Sequence, residues 1–205
     1  MKTPENEKEH NKTSYSAAPP SPMSLRVLTL MPPDRPLKLL DIACGEGQDA
    51  VFFARCGYEV SAFDLNEASI EKTKKLAKKA GVGLNAFVAD ICDYQLDSPY
   101  DILFSSGALH YIRPERRKEI FKNYQTFTNE NGLHAFNAYV AKPFIAPAPE
   151  KETKSYLWDS GRLLTIYRDW LIEGSAEYVM DCQVAGKPHK QAVNELFARK
   201  PAGVS

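Results

Sequence analysis

Two glycines and one aspartate are the residues of this sequence most able to bind a ligand. Gly45 and Gly47 follow the apolar run at residues 39–43, and Asp64 ends a second apolar run, about twenty residues after the first glycine. Glycines allow a tight bend and a close approach of backbone to ligand, and an aspartate after the next strand can accept hydrogen bonds from two ribose hydroxyls. This βαβ pattern predicts that the chain binds a cofactor containing adenosine.

The glycine pattern alone leaves the identity of that cofactor open. Residues 45–50 fit the dinucleotide pattern GxGxxA, so a nicotinamide cofactor is one alternative. Asp41, inside the first predicted strand, would repel a pyrophosphate but attract the ammonium or sulfonium of an amino-acid-like ligand. The chain contains no Tyr-x-x-x-Lys pair, and its 205 residues leave little room for a separate substrate domain. These observations weigh against a nicotinamide cofactor.

Alternating strand and helix patterns predict the fold that positions these residues. The predicted strands are residues 37–42, 58–63, 84–89, 101–104, 133–139, 176–184 and 191–198. The predicted helices are residues 23–31, residues 49–56, one capped by Asn66, one beginning at Pro114, and one capped by Asp159 or Ser160 that bears Leu163, Leu164, Tyr167 and Leu171. This alternation predicts an α/β fold, a doubly wound, mainly parallel seven-stranded sheet with helices on both faces. A turn at residues 186–188 predicts a C-terminal antiparallel hairpin.

We expect a single domain at residues 23–205, with two segments able to cover a ligand. Residues 1–22 are polar and contain prolines, which predicts a tail that either folds over the site or stays disordered. Residues 140–158 contain Pro143, Pro147 and Pro149 with no clear periodicity. This segment is predicted to be a long loop of the kind that forms a lid.

Composition argues against several other classes of protein. Basic and acidic residues number 26 each, so the net charge is zero. This balance argues against a dedicated nucleic-acid-binding protein, which would have an excess of basic residues. No apolar stretch has the length of a membrane span or the character of a signal-peptide core. The four cysteines include no CxxC pair, which favours reduced thiols, and no acid–histidine cluster has metal-ligand spacing. We therefore expect a cytoplasmic protein with no metal, nucleic-acid partner or membrane partner, either a monomer or a homodimer.

Residues 39–112 resemble a class I S-adenosylmethionine-dependent methyltransferase. The likeness lies in DIACGEG at residues 41–47, in Asp64, in Asp90, and in DILFSSGALHYI at residues 101–112. These segments follow the order and spacing of that family, which implies a Rossmann-like fold and S-adenosylmethionine as the cofactor.

The resemblance also implies roles for individual residues. It implies that the glycine loop contacts the methionine part, that Asp64 holds the ribose, and that Asp90 with the backbone of Ile91 meets the adenine amino group. Ser105 and Ser106 are expected where the fourth strand opens towards the methyl group. The remaining residues of the predicted cofactor site are Asp41, Ala43, Cys44, Gly45, Gly47 and Leu65. Ala43 stands where the family often has glycine, a small change provided that φ of Ala43 stays negative.

The C-terminal part is similar to a narrower group, the tellurite-resistance methyltransferases. The likeness lies in residues 158–170, in the hairpin end at residues 197–200, and in GEGQDAVFFA at residues 45–54. The chain has no Asn-Pro-Pro-Tyr-type loop after the fourth strand and no Pro-Cys pair, which argues against methylation of nucleic-acid bases or glutamine amides. The expected acceptor is therefore a small molecule, either a chalcogen oxyanion such as tellurite or selenite, or a thiol.

Three side chains are candidates to act on that acceptor. His110 could take a proton or orient the acceptor, or it could only pack on the cofactor. Tyr139 is either a wall of the acceptor site or a core residue. Arg168 could bind an anion through its guanidinium or form a surface salt bridge. Two other functions stay open, a nicotinamide-dependent oxidoreductase and a non-catalytic S-adenosylmethionine-binding module.

Overall fold

The computed structural model describes residues 19–146, 155–184 and 187–203. Its strands are β1 Lys38–Ile42, β2 Glu59–Asp64, β3 Asn85–Val88, β4 Tyr100–Ser105, β5 Thr128–Val140, β6 Leu171–Val184 and β7 Lys187–Arg199. Its helices are α1 Pro22–Leu30, α2 Gln48–Cys56, α3 Glu67–Ala80, α4 Pro114–Thr126 and α5 Arg162–Ile166, with a single 3₁₀ turn at Leu109–Tyr111. Within the described residues, the strands form one sheet in the order β3-β2-β1-β4-β5-β7-β6.

The first five strands are parallel, and β7 is antiparallel to both β5 and β6. Side chains of the central strands alternate between two apolar clusters, one on each face of the sheet. Leu40 and Ile42 of β1 pack with α4, while Leu39 packs with α1 and α2. Burial on both faces is typical of a parallel sheet covered by helices. The predicted fold class is confirmed.

The ordered N-terminal part begins before the predicted boundary at residue 23. The amide of Ser21 donates to Oδ1 of Asp49 over 2.7 Å, and the Ser21 hydroxyl accepts from the amide of Ser24 as the cap of α1. These contacts join the start of α1 to the first turn of α2. The predicted tail falls largely on residues 1–18, which lie outside the described residues, so the prediction for the tail stays untested.

The ends of the predicted lid are joined to each other. Val140 and Trp158 form a parallel bridge, in which the amide of Ala141 donates to Trp158 over 2.9 Å and the amide of Trp158 donates to Tyr139 over 2.8 Å. Residues 147–154 lie outside the described residues. The structure therefore shows how the loop is held at its base and leaves its action as a lid a prediction.

The helix after that loop is shorter than predicted. It ends at Ile166, and Leu171, expected on the helix, is the first residue of β6 and pairs with Arg199. Gly161, in a left-handed conformation with φ of 71°, precedes the helix. The predicted cap is wrong because the Ser160 hydroxyl instead donates to Glu177 of β6.

The first residues of β7 and β5 also differ from the prediction, because pairing between strands overrides the local preference for a turn. Lys187 and Pro188, predicted in the hairpin turn, pair with β6 as the first residues of β7. The strand predicted at residues 133–139 begins earlier, at Thr128, and the added part contains Asn131, with a φ of 60°, where the register against β4 shifts.

Candidate active site

The strand order places a crevice at the carboxyl ends of β1 and β4. The chain runs from β1 outward to β2 and β3, then returns across β1 to β4 and β5. Ligands of open α/β sheets bind at this reversal, outside the carboxyl ends of the strands. The loops after β1, β2, β3 and β4 all reach this edge, and they carry most of the residues predicted from the sequence.

The loop after β1 is a compact turn with three left-handed residues. Ala43, Gly45 and Gly47 have φ values of 54°, 55° and 84°. The amide of Cys44 donates to the carbonyl of Phe63 over 2.8 Å, which ties the loop to β2. A negative φ, the condition under which alanine here would cost little, is therefore not met. An alanine in this region costs about 1–2 kcal/mol relative to the right-handed region, so the loop holds local strain where a ligand would approach.

Gly47 is required by packing as well as by its dihedral angle. A Cβ at this position would lie 2.4 Å from Cγ2 of Thr73 on α3. Thr73 is fully buried, and its hydroxyl donates to the carbonyl of Ser69 and reaches the carbonyl of Gly45 at 3.3 Å. The sequence indicates only that Thr73 lies on the buried face of a helix, so its contact with Gly47 could not be predicted.

Asp64, at the end of β2, holds the loop from the other side. Its Oδ2 accepts from the amide of Gly45 and its Oδ1 from the amide of Asn66, both over 2.9 Å. Each carboxylate oxygen keeps further acceptor capacity, so these bonds leave Asp64 able to accept from two hydroxyls of a ligand. Leu65, next to it, is 66% exposed and supplies an apolar surface at the rim of the crevice.

Asp41 is a buried carboxylate below the glycine loop. It is 2% exposed, and its Oδ2 has no hydrogen-bond partner within the described part of the chain. Burial raises the pKa of Asp41 well above its usual value, the carboxylates of Asp49 and Asp64 raise it further, and a backbone hydrogen bond from Ala50 opposes the shift. Asp49 and Asp64 therefore lie near Asp41 beside the glycine loop, and together with burial they favour its neutral form.

The residues predicted for the adenine end lie beside Asp64. β3 pairs with β2 through Asp64 and Val88, and Asp90 follows that strand. Oδ1 of Asp90 accepts from the amide of Cys92 over 2.8 Å, and its carbonyl accepts from Asp93 and Tyr94. Ile91 is buried in the turn that these bonds form. The structure thus brings Asp64, Asp90 and Ile91 to neighbouring strand ends.

The two serines after β4 differ in their placement. The side chain of Ser105 is fully buried, and its hydroxyl donates to the carbonyl of Ile42 over 3.0 Å. It joins β4 to β1, so the Ser105 side chain is held within the sheet at the end of β4, and a role beside the methyl group stays a prediction. Ser106 lies near Nδ2 of Asn137, and Oδ1 of Asn137 accepts from the amide of Gly107 over 2.6 Å.

His110 and Tyr139 form a stacked pair at this edge. Their ring centroids are 4.3 Å apart with planes 6° from parallel. His110 is 4% exposed, and its Nδ1 has no hydrogen-bond partner among the described residues. Burial lowers the pKa of His110 to about 4 and raises that of Tyr139. Both side chains are therefore neutral at pH 7.

Arg168 does not lie with the other candidates. It precedes Leu171, which pairs with Arg199, and Arg199 pairs with Leu133 near the beginning of β5. The crevice is at the opposite edge, where Val140 ends β5. The Arg168 side chain is 79% exposed and contacts Asp169. The prediction of a catalytic role for Arg168 is therefore wrong, because the shorter α5 places this residue at the far edge of the sheet.

Two features are absent from the described part of the chain. It contains no group of three or more His, Cys, Asp or Glu side chains that could hold a metal ion. Nor does it contain a helix with the length and apolarity needed to span a membrane.

Comparison with known families identifies this arrangement. A family model described as tellurite resistance protein TehB matches residues 22–192. The chain belongs to the TehB family. The match begins with α1 and ends at residue 192 in β7, so it includes the crevice, β6 and the first part of β7. The resemblance noted in the sequence is confirmed.

Relatives of the TehB family give the same result. A protein of Haemophilus influenzae strain 10810, named a probable S-adenosyl-L-methionine-dependent methyltransferase TehB, is 29% identical over 135 residues, which are 66% of this chain and 46% of that protein. Hemagglutinin 1 of Eikenella corrodens is 27% identical over 169 residues, which are 81% of this chain and 55% of the relative. The chain thus spans about half the length of the curated relatives it matches.

A solved structure shares the fold of this TehB family member. The crystal structure of TehB from Haemophilus influenzae has a TM-score of 0.77 and 24% sequence identity, and the match covers 86% of this chain and 61% of the other. This likeness supports the class I methyltransferase fold, and it leaves the roles of individual residues to be argued from the geometry described above.

Proposed function

We propose that this protein transfers a methyl group from S-adenosylmethionine to a small molecule whose nucleophile is a thiol or a related chalcogen. Membership of the TehB family supports the reaction class. The observation that carries the proposal is the crevice itself, in which the glycine loop, Asp64 and the His110–Tyr139 pair meet at one edge of the sheet.

Two features of the described residues fit S-adenosylmethionine at the β1 loop. The carboxyl group of Asp41, whose Oδ2 is unpartnered, lies near Asp49 and Asp64, and a ligand that carries a sulfonium and an ammonium would favour its ionised form. A Cβ built on Gly45 would meet no atom within 4 Å, so the backbone there is open to a ligand. We expect Asp64 to accept from the ribose hydroxyls, and Asp90 with the backbone of Ile91 to bind the adenine.

Methyl transfer from an activated donor requires little chemistry from the protein itself. When bound, S-adenosylmethionine supplies an activated methyl group, whose in-line transfer requires alignment of the acceptor and exclusion of water. Gly107 and Asn137 fix the backbone after β4, and Tyr139 forms a wall of the acceptor site. A Cβ on Gly107 would lie 3.6 Å from the Tyr139 hydroxyl, so the glycine gives the acceptor room beside that hydroxyl.

The state of His110 favours an acceptor that loses its proton readily. An imidazole whose pKa is about 4 is a weak base at pH 7, because efficient general bases have a pKa near the working pH. His110 can accept a hydrogen bond and orient a thiol or selenol, whereas an amine or alcohol would need a stronger base. Since Arg168 lies at the far edge of the sheet, no predicted cation of the site remains to bind tellurite or selenite. A thiol is therefore favoured over a chalcogen oxyanion.

Calorimetric titration with S-adenosylmethionine, S-adenosylhomocysteine and NADH in parallel tests the cofactor. We expect binding of the two sulfur compounds and none of NADH. Binding of NADH alone would contradict the proposal and support an oxidoreductase.

Turnover tests the acceptor. Formation of S-adenosylhomocysteine is measured with small thiols, selenite, tellurite and small amines, and we expect product with thiols. His110→Gln should leave cofactor affinity unchanged and lower kcat/KM for the thiol by about 100-fold, because the thiol is no longer held in line with the methyl group. Tight cofactor binding with no turnover on any acceptor would instead support a non-catalytic binding module.

A further inference from the structure

The turn that carries His110 is held through its backbone carbonyls by residues of α4 and of the segment after β5. The carbonyl of Leu109 accepts from Nε1 of Trp158 over 3.0 Å, and that of His110 accepts from the amide of Tyr156 over 2.6 Å. The carbonyl of Ile112 accepts from Nε of Arg117 over 3.2 Å. A turn of three residues has little internal bonding of its own, so these bonds fix where the His110 ring lies.

Arg117 contacts several of the residues that hold this turn in place. Its Nη2 donates to the carbonyl of Tyr156, the residue whose amide holds His110. Its guanidinium also lies over the Trp158 ring, 4.0 Å from the ring centroid. Because a guanidinium presents several donors in a rigid plane and stacks on aromatic rings, one side chain can make all three contacts at once.

We propose that Arg117, stacked on Trp158, is a positioning residue that fixes the His110 ring against Tyr139 for reaction with the acceptor. This inference rests on the proposed function, in which His110 orients the acceptor. Arg117 reaches His110 only through the backbone of residues 109–112 and 156, so it is not itself a catalytic residue. A displacement of the imidazole by about 1 Å is enough to lower the rate of an aligned reaction by about 100-fold.

The geometry gives a matched pair of variants on the same helix. Arg117→Met removes the bonds to Ile112 and Tyr156 but keeps a long apolar side chain on Trp158. Arg116→Met is the control, because Arg116 pairs with Asp93 and Glu119 at the surface and makes none of these contacts with the turn. Trp158→Phe is a second test, since it removes the donor to Leu109 and keeps an aromatic ring, though a smaller one, at this buried position.

Chemical rescue separates positioning from a general loss of structure. Arg117 and Trp158 line a groove of about 530 Å³ between α4 and α5, together with Lys118, Lys122, Asp159 and Arg162. A guanidinium ion can enter the space left in Arg117→Ala through this groove. We expect millimolar guanidinium to restore part of the activity of that variant, whereas sodium chloride at the same ionic strength should not.

Steady-state kinetics with a thiol acceptor is the first measurement. Arg117→Met is expected to lower kcat by about tenfold or more, with the S-adenosylmethionine Kd within twofold of the parent. Arg116→Met should match the parent, and Trp158→Phe should resemble Arg117→Met. Equal kcat values for Arg117→Met and Arg116→Met would overturn the proposal.

Nuclear magnetic resonance titration of His110 is the second measurement, and it does not depend on turnover. In Arg117→Met the loosened ring should become hydrated, and its pKa should rise from about 4 towards the ordinary histidine value. If the parent protein shows no turnover while this pKa rises, the proposed function fails and the positioning role stands. If the pKa stays where it is in the parent, the positioning role fails.

Discussion

The backbone amide of Gly45 donates a hydrogen bond to Oδ2 of Asp64 over 2.9 Å, which makes the β1 loop and the end of β2 one unit. The other oxygen of Asp64 accepts from the amide of Asn66, the residue that caps α3. Loss of this carboxylate would therefore disturb the loop and the start of α3 together, in addition to any contact with a ligand.

Asp64→Ala should weaken S-adenosylmethionine binding by about 100-fold or more and lower the free energy of unfolding by about 1–3 kcal/mol, because two backbone donors lose a charged acceptor. Calorimetry and urea unfolding measure the two effects. Asp64→Asn, which keeps one acceptor oxygen, should be intermediate in both. Asp93→Ala is the control, since that carboxylate is exposed and pairs with Arg116. Unchanged affinity in Asp64→Ala would contradict the assigned site.

Gly45 and Gly47 are predicted to respond differently to alanine. Both have positive φ, so each variant carries the same class of backbone strain, about 1–2 kcal/mol. The new Cβ of Gly47→Ala also meets Thr73 at 2.4 Å, whereas that of Gly45→Ala meets nothing within 4 Å.

Gly47→Ala should therefore lose clearly more unfolding free energy than Gly45→Ala, by about 1–3 kcal/mol, since Thr73 is buried and tightly packed. Gly45→Ala should mainly lower affinity for S-adenosylmethionine, because its methyl group projects into the open crevice. Urea unfolding and calorimetry of both variants test this contrast. Equal stability of the two would show that the contact with Thr73 is relieved at little cost.

His134 is held in one tautomer by two hydroxyls in the core. The Thr128 hydroxyl donates to the carbonyl of Tyr124, so it accepts from Nε2–H of His134 at 2.7 Å. The Tyr167 hydroxyl, 2.6 Å from Nδ1, must then be the donor to that nitrogen. Tyr167→Phe leaves Nδ1 buried without a donor and should cost about 1–3 kcal/mol at pH 7.5.

Burial also lowers the pKa of His134 well below its usual value, and Lys200 lowers it further. The folded state then binds fewer protons than the unfolded state below pH 6.5, so stability falls as the pH falls through that value. The slope for this histidine reaches at most about 1.4 kcal/mol per pH unit. Urea unfolding of the parent between pH 7.5 and 5 should show this loss together with that of His110, whose pKa is lowered in the same direction. Nuclear magnetic resonance titration of His134 separates the two contributions, and an ordinary histidine pKa for His134 would contradict the prediction.

The sequence was sufficient for the sheet, the glycine loop and the acidic residues after β1 to β3, because these follow from local apolar runs, glycines and spacing. It was insufficient where pairing between distant segments determines the position of a residue in the fold. Arg168 was assigned to the site on residue type, but the pairing of Leu171 with Arg199 places it at the far edge. The support of His110 by Arg117 and Trp158 joins α4 to a distant segment, and no local pattern indicates such a contact.

Asp41 should couple cofactor binding to proton release. Burial and two neighbouring carboxylates raise its pKa well above the usual value, so the carboxyl group is protonated over a wider pH range when folded than when unfolded. A sulfonium cation nearby would favour the ionised form. Binding of S-adenosylmethionine should therefore release part of a proton, whereas binding of the uncharged sulfur of S-adenosylhomocysteine should release less.

Calorimetry in two buffers of different ionisation enthalpy measures the number of protons released. Asp41→Asn should remove the difference between the two ligands and weaken S-adenosylmethionine more than S-adenosylhomocysteine. Asp41→Asn should also change how the stability of the protein depends on pH. Because the folded pKa is raised, the parent loses stability as the pH rises above the ordinary aspartate value of about 3.9, and the asparagine variant does not. Asp41→Asn should therefore gain stability relative to the parent between pH 5 and pH 8. Equal proton release with both ligands would show that the charge of Asp41 does not sense the sulfonium.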